Sequence, residues 1–220
     1  MKADPSPRPK ILILVSGEGS NLQALIEASR ERDYPADIVA VGSNQAKAPA
    51  LAKAAHANIP TFVIEHGRYG SRDEFDGALM QEIRRHNPDL IVLAGFMRIL
   101  TEGFVRALRG QLLNIHPSLL PKYTGLNTHQ RALNAGDKTH GVSVHFVTEE
   151  LDGGPIIAQA QIAVGPDDSA ETLAQKVQAQ EHVLYPIVVR WCCEGRVQLG
   201  AEQVLFDGQA LHQPLVLPAN

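Results

Sequence analysis

The stretch "KILILVSGEGSNLQALIEASRER", residues 10–32, decides the fold. Its first part, 10–16, is a continuous apolar run that ends at Gly17, as is typical of a strand buried on both faces. Its second part, 21–32, places apolar residues three and four positions apart, which indicates an amphipathic helix. A glycine-rich turn therefore joins a buried strand to a helix, and this unit predicts the start of a parallel α/β sheet.

The same alternation of strand and helix continues along the chain. Strand-like runs lie at 37–43, 61–64, 89–96 and 111–115, and helical patterns lie at 48–57, 71–86, 128–136 and 169–195. The segment 139–164 alternates more like antiparallel strands around a glycine-rich turn. The pattern predicts an α/β fold with a doubly wound, mostly parallel sheet and an antiparallel C-terminal edge.

Length and composition favour one globular domain. The chain has 220 residues, of which 44% are hydrophobic and 20% charged, and these values suit a single α/β domain. The sequence predicts a flexible leader at 1–9, one domain at 10–207 and a tail at 208–220. The net charge of −4 argues against a nucleic-acid partner. The apolar runs are too short for a membrane helix, so we expect no membrane partner and a cytoplasmic location.

The metal-binding and redox signals are weak. Cys192 and Cys193 are adjacent, which favours two ordinary thiols in a reducing cytosol, with a redox pair as the alternative. The nine histidines are scattered without the spacing of a metal motif, and we expect no bound metal.

The first chemical signal is the turn that contains Gly17, Gly19, Ser20 and Asn21. Glycines let backbone N–H groups approach an anion, and the following helix adds its positive N-terminal end. A single phosphate is the favoured ligand, because Leu22 stands where a dinucleotide site needs a third glycine. A dinucleotide site remains an alternative, as does a plain tight turn in which Ser20 or Asn21 caps the helix.

The second signal is the pair Asn114 and His116 at the end of an apolar strand. Residues two apart on a strand point to the same side, so the amide and the imidazole could together stabilise an oxyanion. Pro117 and Pro121 would hold the exit of the strand rigid. The alternative is a capping or core histidine. Ser118 lacks the glycine pattern of a nucleophile elbow and is not expected to be a nucleophile.

An acidic residue in a later turn could complete this constellation. Asp152 precedes two glycines in "EELDGGP". If its carboxylate lies near His116, it would favour the charged imidazolium and make that histidine a proton donor near neutral pH.

Five segments carry a resemblance to a known family. They are "SGEGSNLQAL", "DLIVLAGFMRIL", "LLNIHPSLLPKYTGL", "HGVSVHFVTEELDGGPII" and "QAQEHVLYP". In this order, and over about residues 10–207, they resemble the folate-dependent formyltransferases, and the first turn favours the glycinamide ribonucleotide branch. The resemblance implies a Rossmann-like domain whose N-terminal half binds phosphate and whose C-terminal half binds folate and carries catalysis.

The resemblance also implies a reaction. The formyl group of 10-formyltetrahydrofolate would pass to the amino group of glycinamide ribonucleotide in purine synthesis, without a metal. Asn114, His116 and Asp152 match the catalytic trio of the family. Asn114 and His116 would stabilise the oxyanion, His116 would donate a proton, and Asp152 would favour the charged His116 and relay a proton. The expected partners are these small molecules, with the protein a monomer or homodimer.

The binding residues implied by the resemblance fall in two groups. For the ribonucleotide substrate they are Gly19, Ser20, Asn21, Gln178, Ala179, Gln180 and Glu181. For the folate cosubstrate they are Arg72, Met97, Arg98, Ile99, Leu100, Asn114, Thr148, Glu149, Glu150, Leu151 and Asp152. Glu181 would hold the ribose hydroxyls. A surface ion pair is the alternative role for Arg72, which has acidic neighbours.

Three positions depart from the family pattern. Thr124 stands where a proline is usual, Asn127 where a histidine is usual, and Glu18 where asparagine is common. A carboxylate at Glu18 should weaken phosphate binding unless it points away from the site.

Four rival functions remain. A methionyl-tRNA formyltransferase would carry a further basic C-terminal domain, and a formyltetrahydrofolate hydrolase would carry an N-terminal regulatory domain. A nicotinamide oxidoreductase lacks support at Leu22 and at the end of the second strand, where no acidic residue stands. A folate-binding protein without activity would not need Asn114, His116 and Asp152 together.

Overall fold

A computed structural model describes residues 8–201 and 203–218. Its N-terminal part alternates strands and helices. The elements are β1 (Lys10–Val15), α1 (Ser20–Ser29), β2 (Asp37–Ser43), α2 (Pro49–His56), β3 (Thr61–Val63), α3 (Arg72–His86), β4 (Leu90–Leu93) and α4 (Glu102–Ala107), with a 3-10 turn at His66–Arg68. The predicted strands and helices of this half are confirmed to within a few residues, and α4 is an addition.

The C-terminal part adds antiparallel strands and a long helix. Its elements are β5 (Leu112–His116), α5 (Thr128–Asn134), β6 (Thr139–Phe146), β7 (Ile156–Ala163), α6 (Ala170–Cys193), β8 (Val197–Leu199), β9 (Val204–Phe206), β10 (Gln209–Ala210) and β11 (Leu215–Leu217). The long helix α6 begins with a capping box between Ser169 and Thr172, which satisfies backbone groups at its first turn.

The main sheet confirms the predicted fold class. Within the described residues it has eight strands in the order β11-β7-β6-β5-β4-β1-β2-β3, and β8, β9 and β10 form a small antiparallel sheet. The strands from β3 to β5 are parallel, whereas β6 runs antiparallel to both β5 and β7. The sheet is therefore mostly parallel, with the antiparallel pairs towards its C-terminal side.

The core lies on both faces of the sheet, as a doubly wound fold requires. On one face, Leu12 and Leu14 of β1 pack in a cluster with Leu79 of α3. On the other face, Ile13 packs with residues of α1 and α6 such as Leu25 and Val188. The alternate side chains of β1 thus face opposite layers, and this explains why its sequence reads as an unbroken apolar run.

Both ends of the predicted domain hold more structure than the sequence indicated. Residues 1–7 of the expected leader lie outside the described residues. The Arg8 guanidinium donates to the carbonyls of Tyr34 and Ala36 at 2.7 and 2.9 Å. At the other end, β11 falls within the stretch 208–220 that was predicted to be a tail. It pairs in parallel with β7, because the edge of β7 offers backbone groups that a short "LVL" strand can satisfy.

A buried tyrosine joins the long helix to the sheet. Tyr185 of α6 is fully buried, and its hydroxyl lies 2.9 Å from the carbonyl oxygen of Leu93 and 3.2 Å from that of Leu113. Leu93 is the last residue of β4, and Leu113 lies in the neighbouring strand β5. The hydroxyl therefore satisfies carbonyl groups of two adjacent strands.

Candidate active site

The candidate site is built around β5, between a parallel and an antiparallel neighbour. Asn114 lies opposite Leu93 of β4 on one side and opposite His145 of β6 on the other. His116 lies opposite Ser143 of β6. Because opposed residues of paired strands project from the same face, Asn114, His116 and His145 share one face of the sheet.

Asn114 is oriented by His145. The Nδ2 atom of Asn114 lies 3.1 Å from Nε2 of His145, and Nδ1 of His145 lies 2.9 Å from the carbonyl oxygen of Phe146. Burial lowers the pKa of His145, so its ring is neutral near pH 7. A neutral ring that donates from Nδ1 to the carbonyl must accept at Nε2. One amide proton of Asn114 is thereby committed to His145, and the second is left to bind a ligand.

His116 is held by one ring nitrogen and faces a carboxylate with the other. Its Nε2 lies 2.8 Å from the carbonyl oxygen of Tyr123 and therefore carries a proton. Its Nδ1 lies 3.4 Å from Oδ2 of Asp152, which is longer than an ordinary hydrogen bond. His116 is buried, as is the Asp152 side chain. The geometry brings the imidazole and the carboxylate of the predicted trio together.

Asp152 is positioned by backbone groups. It adopts a left-handed conformation with φ of 53°, and its Oδ2 accepts a hydrogen bond of 2.8 Å from the N–H of Gly125. The turn that carries it is tight, since a Cβ at Gly154 would lie only 1.8 Å from the carbonyl oxygen of Phe146. The glycines after Asp152 therefore allow the loop to lie directly against the end of β6.

The segment after His116 is fixed by a buried polar network. Ser118 is fully buried, and its hydroxyl donates to the carbonyl of Lys122 at 2.6 Å. Ser143 donates to the carbonyl of Ser118 at 2.7 Å, and Gln159 donates to Ser143 at 2.8 Å. Ser118 thus has a structural role, in agreement with its exclusion as a nucleophile. The network holds the segment that supplies the Tyr123 carbonyl to His116.

The glycine-rich turn lies close to the long helix α6. Gly19 has a φ of 70°, and a Cβ there would lie 2.5 Å from Cβ of Ala50, so no larger residue fits. Gln178 donates to the hydroxyl of Ser20 at 3.1 Å. The turn and the middle of α6, which are separated by about 160 residues in sequence, therefore meet at one place.

A second contact between the same elements joins Asn21 to Glu181. The Nδ2 of Asn21 donates to Oε2 of Glu181 at 2.7 Å, and the Oδ1 of Asn21 is buried without a partner among the described residues. Burial raises the pKa of Glu181, against the opposing effect of the Asn21 hydrogen bond. The unpartnered Oδ1 of Asn21 and the partly buried carboxylate of Glu181 could both accept hydrogen bonds from the hydroxyl groups of a ligand.

The other two substrate residues expected on α6 lie on different faces of the helix. Ala179 is exposed, whereas Gln180 is 9% exposed and points into the protein. The helix therefore brings Gln178 and Glu181 to the turn.

The loop after β4 carries the expected folate residues. Met97 is 68% exposed and Ile99 58% exposed, while Arg98 lies over the ring of Phe75 with its guanidinium carbon 5.6 Å from the ring centroid. Exposed apolar side chains such as Met97 and Ile99 can pack against an aromatic ligand. Arg72 is the exposed first residue of α3, and no ion pair of Arg72 occurs within residues 8–201 and 203–218.

The expected folate residues Thr148, Glu149, Glu150, Leu151 and Asp152 lie in the loop between β6 and β7. Glu149 forms an ion pair of 3.2 Å with Arg106 of α4, and a backbone hydrogen bond, followed by this contact, lowers the pKa of Glu149. Leu151 is 54% exposed. The loop therefore presents an apolar side chain next to the buried Asp152.

The three departures from the family pattern all lie at exposed positions. Glu18 is exposed, which fits a carboxylate that points away from the turn. Thr124 and Asn127 are also exposed, and Asn127 adopts a left-handed conformation at the start of α5 without a side-chain cap. None of the three contacts the predicted trio through a hydrogen bond of the described residues.

Two functional groups could not be found from the sequence. Tyr123 and Gly125 act through backbone atoms, so their side chains carry no signal. His145 and His129 stand at positions that match the family, and the pairing of His145 opposite Asn114 shows which residue it orients.

Two further observations concern metals and membranes. Within residues 8–201 and 203–218, no cluster of three or more histidine, cysteine or acidic side chains is arranged to bind a metal ion. In the same part of the chain, no helix combines the length and the hydrophobicity needed to cross a bilayer.

The two cysteines are unbridged and partly buried, and burial raises the pKa of both thiols.

Comparisons with known proteins agree with this geometry. Residues 9–189 match the family described as formyl transferase. The phosphoribosylglycinamide formyltransferase of Escherichia coli (strain K12) is 49% identical over 201 residues, which cover 91% of this chain and 95% of that protein. The solved structure of the phosphoribosylglycinamide formyltransferase from Coxiella burnetii superimposes with a TM-score of 0.92 at 48% identity, covering 96% of this chain and all of the other.

The chain therefore belongs to the formyl transferase family. A human trifunctional purine biosynthetic protein contains a similar segment, 45% identical over 193 residues, which is 88% of this chain and 19% of that protein. Within the family, the full-length matches place this chain among the phosphoribosylglycinamide formyltransferases, and it is an enzyme of that class.

Proposed function

We propose that this enzyme transfers the formyl group of 10-formyltetrahydrofolate to the amino group of glycinamide ribonucleotide, a step of de novo purine biosynthesis. The observation that carries the proposal is the Asn114, His116 and Asp152 constellation in a chain that also has a glycine-rich turn at the start of α1. Such an arrangement offers oxyanion donors, a proton acceptor and a phosphate site. The full-length similarity to phosphoribosylglycinamide formyltransferases supports the choice of substrates.

Asn114 and His116 stabilise the tetrahedral intermediate. The substrate amine attacks the formyl carbon, a C–N bond forms, and the carbonyl oxygen gains negative charge. The uncommitted amide proton of Asn114 binds this oxygen, and His116 binds it through Nδ1, because its Nε2 is held by the Tyr123 carbonyl. Because both groups are buried and held before the reaction, they need little reorganisation when the charge develops.

Asp152 accepts a proton and His116 donates one during the reaction. The attacking amine must lose a proton, and the N10 atom of the folate must gain one before its bond to the formyl carbon breaks. Asp152 takes the amine proton, directly or through water, and His116 supplies a proton to N10. The Asp152 carboxylate lies 3.4 Å from Nδ1 of His116, so the proton acceptor and the proton donor are adjacent.

The two substrates occupy opposite sides of the trio. The phosphate of the ribonucleotide binds the backbone N–H groups of Gly19, Ser20 and Asn21 at the start of α1, and its ribose hydroxyls bind Glu181. Folate binds between the loop after β4 and the loop that carries Asp152. The exposed Met97 and Leu151 cover the faces of its ring system.

Absorbance-monitored turnover of 10-formyltetrahydrofolate, with and without glycinamide ribonucleotide, tests this proposal. Turnover that requires the ribonucleotide would support the transferase. Turnover without it would indicate a hydrolase, and no turnover under either condition would leave a binding protein.

The remaining properties follow from the same proposal. The partners are the two small molecules, no metal takes part in the steps assigned above, and the enzyme acts in the cytoplasm as a monomer or homodimer. Light scattering during gel filtration would distinguish the two oligomeric states. Activity that survives dialysis against a chelator would support the metal-free reaction.

A further inference from the structure

The loop after β4, residues 96–100, is anchored by a side-chain acceptor at each end. At its start, the N–H of Met97 donates to the hydroxyl of Ser16 at 2.7 Å. Just beyond its end, the N–H of Thr101 donates to Oδ2 of Asp76 at 2.6 Å. Within the loop, Phe96 and Leu100 pack in or against the core, whereas Met97 and Ile99 are largely exposed. Apolar packing therefore fixes only part of the path of the loop.

Asp76 is an unusual residue for its position. It lies on α3, is only 4% exposed, and has an Oδ1 atom without a hydrogen-bond partner among the described residues. A buried carboxylate is costly unless it makes compensating contacts. Its one hydrogen bond is to the backbone of the segment that follows the 96–100 loop. Arg98 from within the loop packs over Phe75, the residue before Asp76, and brings a positive charge to the same part of α3.

Ser16 is oriented as an acceptor by a second residue. Its hydroxyl donates to Oδ1 of Asn44 at 2.5 Å, so its lone pairs are left to accept the N–H of Met97. Asn44 is 3% exposed, and its Nδ2 lies 3.2 Å from Nδ1 of His66. The side chains of Ser16, Asn44 and His66 therefore form a connected polar series next to the loop, in which the Met97 N–H donates to Ser16 and Ser16 donates to Asn44.

We propose that Asp76 and Ser16 are positioning residues that hold the 96–100 loop in the conformation that binds the folate cosubstrate. The inference rests on the proposed function, since it assigns this loop to the folate side of the site. Neither residue touches the reacting atoms. Each accepts a backbone N–H at one end of the loop. The loop is therefore ordered before the cosubstrate binds, and the cost of ordering it does not reduce the affinity.

Replacement of Asp76 tests the proposal most directly. We expect Asp76→Ala to raise the KM for 10-formyltetrahydrofolate about tenfold, the factor that follows from losing a hydrogen bond to a charged acceptor. The KM for glycinamide ribonucleotide should stay within about twofold and kcat within about threefold, because the ribonucleotide side and the trio are unchanged. Asp76→Asn keeps an acceptor for Thr101 and should recover most of the lost affinity. Ser16→Ala should raise the KM for the cosubstrate in the same direction.

Asp89 provides a matched control. Its Oδ2 accepts the N–H of Lys10 at 2.8 Å, so it is also a carboxylate bound to one backbone N–H, but it lies at the opposite ends of β1 and β4. Asp89→Ala should leave both KM values unchanged. Thermal denaturation of every variant would separate a loss of stability from a loss of cosubstrate affinity.

Two outcomes would overturn the inference. One is a KM for the cosubstrate in Asp76→Ala that equals the value in Asp89→Ala. The other is an Asp76→Asn variant that is as defective as Asp76→Ala, since the acceptor is then not what matters. If Asp76→Ala does not fold, Ser16→Ala decides by the same KM comparison. An inactive wild-type enzyme would contradict the proposed function instead, so the two failures are distinguishable.

Discussion

The two ends of the candidate site hold their polar groups in different ways. At the end proposed to bind the ribonucleotide (the ribonucleotide end), Asn21 and Glu181 hold each other through a side-chain contact between α1 and α6. At the catalytic end, His116 and Asp152 are held by main-chain atoms of Tyr123 and Gly125. A ligand can replace a contact between two side chains, whereas main-chain contacts persist when the ligand arrives. The difference suits binding at one end and preorganised chemistry at the other.

The largest expected effect comes from the residues held by main-chain atoms. His116→Ala should lower kcat by about 10²–10⁴, the usual contribution of a positioned acid or base. Asp152→Asn should act similarly, because the amide oxygen can still accept from Gly125 while the charge is lost. The KM values should change by less than about threefold. Steady-state kinetics with both substrates varied would measure this, with exposed His56→Ala as the control. A near-normal kcat in either variant would show that the role assigned to that residue is wrong.

The next effect concerns the oxyanion. Asn114→Ala should lower kcat by about 10²–10³, as expected for the loss of one oxyanion donor. His145→Phe, which removes the acceptor that orients Asn114, should cause a smaller loss of about tenfold. Single-turnover kinetics would isolate the chemical step. If the His145 variant proves more defective than Asn114→Ala, then His145 does more than orient the amide.

The ribonucleotide end should respond in the opposite way. Glu181→Ala should raise the KM for glycinamide ribonucleotide about tenfold or more, since hydrogen bonds to a charged acceptor are lost. The kcat should change by less than about threefold because the trio remains intact. Initial rates at saturating cosubstrate would show this, and Gln178→Ala should have a weaker effect. A lower kcat with an unchanged KM would show that Glu181 acts in the chemical step, and the two ends of the site would then not differ in role.

The smallest expected effect is a pH dependence of stability. His129 Nδ1 lies 3.1 Å from His140 Nε2, and burial lowers the pKa of both rings, that of His140 to about 4. A folded pKa below the unfolded value means that the stabilisation is complete above pH ~6.5 and is lost as the pH falls towards about 4. The His140 contribution is roughly 3 kcal/mol at most.

Melting curves between pH 7.5 and 4 would test this dependence. We expect the melting temperature to fall by about 2–4 °C for each kcal/mol lost. His140→Gln should flatten the decline, and His56→Gln at an exposed position should not. Because the ring of Tyr123 packs on His140, mild acid should lower kcat before it raises the KM for the ribonucleotide. The reverse order would show that the acid-sensitive pair does not support the catalytic end.

The sequence predicted the parallel half of the fold closely and named the side chains of the candidate site. Long apolar runs such as β1 and clear helical spacing such as α3 carry strong local signals. The six-residue helix α4 is too short to show a repeat, and β11 is defined by pairing with β7 rather than by its own three residues. At the site, side chains could be predicted from their order along the chain. The carbonyl of Tyr123 and the N–H of Gly125 could not, because every residue offers the same backbone groups.

The hydroxyl of Tyr185 has a consequence for the geometry of the reaction. Tyr185 is one helical turn beyond Glu181, and the carbonyl of Leu113 that it binds belongs to the residue next to Asn114. A single buried hydroxyl therefore links the helix that carries Glu181 to the strand that carries Asn114. If the proposed substrate sites are right, a core residue helps to fix the distance between the sugar and the amide of Asn114.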